Sequence, residues 1–331
     1  MEKKKVLYSL LSALVVSSMI LTGCSKSAEV PVTANAPVVN TTNDGAPAAD
    51  SVKAVKPAVA AYFTNVGSTV QDAYTIPEKD LYNGLEKNPS NYAVLDIRQA
   101  DAYKLGHIKG AVNVPYGSGI ASNLDKIRAF AKDKTLVVVC YTGQMAAQAD
   151  SILNIAGIKT RSLNHGMGTG LDVVGWASLK LPLDTNPTLM PALPAVASPN
   201  KAIDDAVIKY FSEVPNDSYI MDLPVLKEAL AKNAEKYYFI DIRLAADFAK
   251  GHIKGFVNIP YGPDIAKNLD AIKEKGQGKT IVVCCYTGQK AGQVDSALNI
   301  LGIPTKSVDF GYGKEGFPKG WSSDKANEVV K

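Results

Sequence analysis

Two cysteines stand at the same point of a repeated phrase, Cys140-Tyr141-Thr142-Gly143-Gln144 and Cys285-Tyr286-Thr287-Gly288-Gln289. Each follows a β-branched run and precedes a glycine-containing stretch that turns helical in pattern. A loop of this kind curls around the sulfur and aims successive backbone N–H groups inward, which makes an anion nest. The helix that follows adds the positive end of its dipole. Both effects favour thiolate over thiol. A free cysteine near pKa ~8.5 is only a few per cent thiolate at neutral pH, and lowering it by about two units makes it mostly thiolate. The same nest suits a negatively charged persulfide. Gly143 and Gly288 fit a loop that needs unusual backbone angles and a close approach to a ligand. An isolated cysteine is more often a buried, inert thiol. The repetition of the whole phrase after the same strand argues against that reading. Cys284 aligns with Val139 and reads as a strand residue facing the core.

These cysteines need a scaffold, and the sequence writes one twice. Leu95-Asp96-Ile97-Arg98 returns as Ile240-Asp241-Ile242-Arg243, and Gly106-His107-Ile108-Lys109-Gly110 returns as Gly251-His252-Ile253-Lys254-Gly255. Asn113-Val114-Pro115-Tyr116-Gly117 returns as Asn258-Ile259-Pro260-Tyr261-Gly262, and Trp176 returns as Trp321. The offset is a constant 145 residues, with about half of the aligned positions identical. Two duplicated domains fit this period and a short-period solenoid does not. The spacing predicts strands over 92–97, 135–139 and 160–163, and helices over 100–105, 120–131 and 144–156. The second copy repeats them as strands over 237–242, 280–284 and 305–308 and helices over 265–275 and 289–301. Alternating strands and helices predict an α/β fold: two tandem units, each a mainly parallel sheet with helices on both faces. Ligands of such folds bind beyond the carboxyl ends of the strands, where Cys140 and Cys285 fall.

The chain has 331 residues, 36 basic and 32 acidic, and four cysteines. A net charge of +4 demands no polyanionic partner, so nucleic acid is not expected. The cysteines are too few for a disulfide scaffold, and the three histidines are not spaced for zinc. Residues 1–23 have a basic start and a mostly apolar run of about 16 residues, short for a membrane span needing ~20. They end in Leu21-Thr22-Gly23-Cys24, which resembles a bacterial lipobox. Cys24 is therefore the expected lipidation site, with palmitate among its acyl groups. The protein is expected to sit outside the cytoplasm in the bacterial envelope, on the outer membrane facing the periplasm or on the cell surface. Residues 24–56 read as a flexible tether, 57–185 and 200–331 as the two domains, and 186–199 as a stiff proline-rich linker.

The Asp-Ile-Arg strand end, the Gly-His-Ile-x-Gly-x-x-Asn-x-Pro signature and the Cys-x-x-Gly loop together resemble the rhodanese domain of the thiosulfate sulfurtransferase superfamily. The resemblance implies that Cys140 and Cys285 take a sulfane sulfur as a persulfide and pass it to a thiophilic acceptor, by ping-pong kinetics. It implies cradles formed by Tyr141, Thr142, Gly143, Gln144 and Met145, and by Tyr286, Thr287, Gly288, Gln289 and Lys290. It implies a small sulfur-containing substrate, a protein thiol as an acceptor, no organic cofactor and no metal. His107, His252, Asp96, Arg98, Asp241 and Arg243 are expected as scaffold, and Trp176 and Trp321 as packing residues. His165 aligns with Phe310 and is not expected in a mechanism shared by both copies.

Many relatives carry an arginine five residues after the cysteine; here Met145 and Lys290 stand there. The second copy is thus expected to prefer an anionic donor such as thiosulfate, and the first a less charged persulfide. The last packing segment of the second copy, after Trp321, has no match to Leu181-Pro182-Leu183. A carrier that holds a persulfide or another chalcogen without turnover, selenium or tellurium oxyanions included, is the alternative class. A phosphatase or arsenate reductase would need the missing arginine.

Overall fold

In the computed structural model the described residues are 49–66, 74–168, 174–314, 317 and 319–331. The expected signal segment, the expected acylation site Cys24 and most of the expected tether lie outside them. In chain order the first half comprises α1 (Ala49–Asn65), β1 (Thr75–Ile76), α2 (Glu78–Lys87), β2 (Tyr92–Asp96), α3 (Ala100–Leu105), β3 (Val112–Asn113), α4 (Ser118–Ala121), α5 (Leu124–Phe130), β4 (Thr135–Val139), α6 (Gln144–Ile155) and β5 (Thr160–Leu163). The second half comprises α7 (Lys201–Ser212), β6 (Ile220–Met221), α8 (Leu223–Lys232), β7 (Tyr237–Asp241), α9 (Ala245–Lys250), β8 (His252–Ile253), β9 (Val257–Asn258), α10 (Pro263–Lys275), β10 (Thr280–Cys284), α11 (Gln289–Asn299), β11 (Thr305–Val308) and β12 (Val329–Val330).

Each half builds one parallel five-stranded sheet, in the orders β1-β5-β4-β2-β3 and β6-β11-β10-β7-β9. The central strands β4 and β10 are continuous apolar runs because both of their faces are covered. Val138 and Val283 face an apolar cluster shared by the two halves, while Val137 and Val282 face clusters private to each half. The expected mixed fold of two α/β units is the one observed.

One expected helix is broken. Residues 120–131 divide into α4 and α5, whereas the equivalent α10 is continuous. At the break the Ser122 hydroxyl donates to the Ser118 carbonyl, and such a side chain competes with the helical ladder. Lys267 replaces Ser122 in α10, which also gains Pro263 in its first turn.

The tether ends earlier than the expected boundary at residue 57, because Pro57 lies inside α1. Val55, Val59, Tyr62 and Phe63 form a buried stripe at helical spacing on that helix. The stripe serves the other half: Phe63 meets Tyr261 edge-on at 5.8 Å, and Lys56 pairs with Asp270 of α10. Its counterpart α7, which leads into the second half, packs on the first. There Phe211 meets Tyr116 edge-on at 5.7 Å, and Arg128 pairs with buried Asp204 at 2.6 Å. The halves thus exchange their leading helices.

The second half also closes where its sequence diverges. The Trp176 indole donates to the Pro182 carbonyl at 2.8 Å, and the Trp321 indole donates to the Glu328 carbonyl at 3.0 Å. Strand β12 then pairs antiparallel with β8. Backbone pairing needs only extended chain, so a different sequence fills the same place.

Candidate active site

Cys140 and Cys285 follow β4 and β10 directly, at the carboxyl edge of each sheet. The Cys140 sulfur accepts from the N–H of Gly143 at 3.1 Å and of Ala146 at 3.3 Å. Backbone N–H groups of Thr287, Gly288 and Ala291 do the same for Cys285. The inward-facing nest expected from the loop is present in both halves. Gly143 (φ 92°) and Gly288 (φ 84°) hold left-handed backbone before α6 and α11. A Cβ on Gly143 would stand 3.0 Å from the His165 nitrogen and 3.1 Å from the Leu163 carbonyl.

A support for each loop was not recognised in the sequence. The N–H groups of Met167 and Gly168 donate to the carbonyls of Cys140 and Tyr141. Those of Tyr312 and Gly313 donate to the carbonyls of Cys285 and Tyr286. The signal was available, since Gly166-Met167-Gly168 and Gly311-Tyr312-Gly313 obey the same 145-residue offset. A Cβ on Gly166 or Gly311 would come within 2.4 Å of the carbonyl of Cys140 or Cys285.

The cradle residues divide. Tyr141 and Tyr286 lie over the guanidinium groups of Arg98 and Arg243, and Tyr286 also donates to Asp247. Burial and the Asp247 carboxylate push the Tyr286 hydroxyl up to about 12, so it remains protonated. Gln144 and Gln289 turn away from their own sulfurs toward the opposite half. Gln144 donates to Ser307 at 2.8 Å, and Gln289 donates to Ser162 at 3.1 Å. Farther along α6 and α11, Gln148 donates to Asp295, Gln293 donates to Asp150, and the hydroxyls of Ser151 and Ser296 meet. Burial holds Asp150 and Asp295 well above the usual carboxylate range. The two active loops are therefore braced side by side by a paired polar seam.

The scaffold expectations agree with the geometry. Arg98 forks onto Asp96, and Arg243 onto Asp241, in buried bidentate pairs. His107 stacks on Tyr103, and His252 on Phe248, with ring centroids 3.7 Å apart in each case. Cys284 packs in the second half's private core, and all three described cysteines are free thiols.

The thiolate expectation needs correction. Both nucleophile candidates are almost fully buried, Cys140 at 1% and Cys285 at 3% exposure. Burial pushes both thiols above the ordinary cysteine value, and the backbone N–H groups offset that only in part. Lys290 adds a lowering influence on Cys285, whereas Asp96 adds a raising one on Cys140. Thiolate is the reactive form, so below the pKa reactivity climbs with pH. Iodoacetamide labelling of each thiol is expected to accelerate roughly tenfold per unit between pH 6 and 8, Cys285 ahead of Cys140. Mass-resolved labelling rates check this, and a plateau reached below pH 7 would overturn it.

Cys285 lines a cavity of about 280 Å³ with Tyr286, Thr287, Gln289, Lys290, Lys314 and, from the first half, Thr75, Asn164 and His165. A larger crevice of about 620 Å³ opens beside Arg128 and Lys159 and includes neither cysteine loop. Among the described residues no cluster of side chains is arranged to hold a metal ion.

The family model for the rhodanese-like domain matches residues 78–168 and 223–317. The chain belongs to this family, with one copy in each half. It is 29% identical over 130 residues to the chloroplastic rhodanese-like domain-containing protein 15 of Arabidopsis thaliana, covering 37% of this chain and 69% of that protein. It is 30% identical over 81 residues to a tRNA sulfurtransferase of Pyrobaculum aerophilum, covering 24% of this chain but only 16% of the relative. The thiosulfate sulfurtransferase structure from Pseudomonas aeruginosa aligns over 82% of this chain and 49% of that one, with 19% identity and a TM-score of 0.31.

Proposed function

We propose that the protein is a sulfurtransferase that works through cysteine persulfides, with Cys285 as its principal nucleophile. The carrying observation is Cys285 in its backbone N–H nest, opening into a cavity that also contains Lys290 and Lys314. Membership of the rhodanese-like family supports sulfur transfer as the general chemistry. In the first half-reaction the Cys285 thiolate attacks the outer sulfur of thiosulfate. The sulfur–sulfur bond of the donor breaks, and sulfite leaves with its electron pair. In the second, an acceptor thiolate or cyanide attacks the terminal persulfide sulfur, and the pair returns to Cys285. The nest stabilises negative sulfur before and after transfer, and Lys290 offsets the repulsion between an anionic nucleophile and an anionic donor. Cys140 has Met145 at that position and suits a less charged persulfide.

The lipobox-like segment ending at Cys24 supports an envelope-anchored enzyme working outside the cytoplasm. The near-complete burial of both sulfurs favours a second reading, a carrier that holds persulfide and releases it only to a docked acceptor. Intact mass of residues 25–331 after reduction, thiosulfate treatment and desalting tests both. Added sulfur that cyanide removes, and that Cys285→Ser abolishes, is the expected result. A retained persulfide with negligible turnover would favour the carrier, and no added sulfur would overturn thiosulfate as donor.

A further inference from the structure

We propose that His165, supplied by the first half and held by Glu78, is an anion-binding residue of the Cys285 site. It would make that site a composite receptacle for the sulfonate end of a doubly charged sulfur donor. The inference rests on the sulfur-transfer reading above and adds a residue to it.

His165 follows β5 of the first half, yet it lines the cavity of the second half's nucleophile together with Lys290 and Lys314. Its backbone lies against Gly143 of the neighbouring loop, so the braced seam carries it to the Cys285 cavity. Its Nδ1 faces the Glu78 carboxylate at 3.2 Å, and Glu78 is buried in the first turn of α2. A carboxylate on one ring nitrogen fixes the orientation of the ring. The other nitrogen, Nε2, has no hydrogen-bond partner among the described residues.

The repeat offers an internal comparison. At the 145-residue offset Glu78 becomes Leu223, His165 becomes Phe310, Lys290 corresponds to Met145, and Lys314 to Thr169. Both members of the His–Glu pair change together, into an apolar pair, and the two lysine positions lose their charge as well. A histidine kept for packing would not need its carboxylate to vary with it. Phe310 has φ 54° where His165 has φ 53°, so an aromatic hydrocarbon suits the same backbone. The hydrogen-bonded His–Glu pair is what distinguishes the first-half contribution.

Chemistry explains why charge is useful there. Thiosulfate is a dianion attacked by a thiolate, and sulfite leaves carrying the electron pair of the broken sulfur–sulfur bond. Negative charge moves toward the sulfonate end during the first half-reaction, away from the nest that holds the cysteine sulfur. Cations on the cavity wall offset it there. An organic thiosulfonate carries one negative charge less and gains less from them.

The test uses the full chain with Cys140→Ser, so that only Cys285 reports. His165→Phe, which installs the other repeat's residue, is expected to lower kcat/KM for thiosulfate about tenfold, mainly through KM. The fall for benzenethiosulfonate is expected to be about threefold or less, and kcat/KM for the cyanide acceptor should change under twofold. His165→Arg is expected to keep thiosulfate kcat/KM within about threefold of the parent. Equal losses for the two donors, or no loss, would overturn the inference. So would an Arg variant as impaired as the Phe variant, which would mark a packing role. A parent that forms no persulfide with either donor would overturn the sulfur-transfer reading, and the inference with it.

Discussion

Cys285→Ser is expected to remove at least about nine-tenths of thiosulfate:cyanide turnover, whereas Cys140→Ser keeps more than half. The two sulfurs share the same strand end, nest and helix, so those features cannot separate them. The difference is the charge near each sulfur. A unit charge about 8–12 Å away at an effective dielectric of ~20 is worth roughly 1.4–2 kcal/mol, or about ten- to thirtyfold in rate. Lys290 acts in that sense on Cys285, while Met145 offers nothing equivalent to Cys140, which instead feels Asp96. Initial rates of both single variants at subsaturating thiosulfate check the prediction. Equal rates would sink the assignment of Cys285 as principal nucleophile. Lys290→Met in the Cys140→Ser background should then lose most of that advantage, as a control on the cause.

The largest stability effect is expected at Asp241. Its carboxylate is fully buried and accepts on both oxygens from the Nε and Nη2 of Arg243, which is 3% exposed. The same guanidinium donates to the Gly251 carbonyl and lies 3.6 Å from the Tyr312 ring centroid. Removing the carboxylate strands a buried cation, which typically costs about 3–5 kcal/mol. Asp241→Ala should therefore shift the denaturant midpoint strongly downward, and Asp241→Asn should lose less because it keeps an acceptor oxygen. A loss under 1 kcal/mol in Asp241→Ala would show that the pair is solvated in solution. Because Tyr312 also braces the Cys285 loop through its N–H, activity should fall alongside stability.

The residues of the candidate site were legible because their signals are local. A β-branched run, a cysteine, a glycine loop and a helix lie within about twenty consecutive residues, and the duplication wrote them twice. The strands over 135–139, 160–163, 280–284 and 305–308 appear at the predicted bounds; for 135–139 and 280–284 the reason is that runs buried on both faces show as continuous apolar stretches. The scaffold roles of Asp96, Arg98, Asp241 and Arg243 followed from their place at strand ends.

What joins the halves was not legible. Nothing local says that Gln144 and Gln289 leave their loops for the opposite half, because a glutamine one residue past an active loop reads equally as cradle or brace. Nothing local says that α1 serves the second half and α7 the first, since an amphipathic stripe declares that it will be buried but not against what. The sulfur environment shows the same division. The sequence by itself determined which atoms can be nucleophilic, through residue type and spacing. Tertiary structure decided how deeply those atoms lie and which charges from other elements surround them. Desolvation and Coulomb terms depend on burial and on distances through space, and these join residues as far apart in the chain as Glu78, His165 and Cys285.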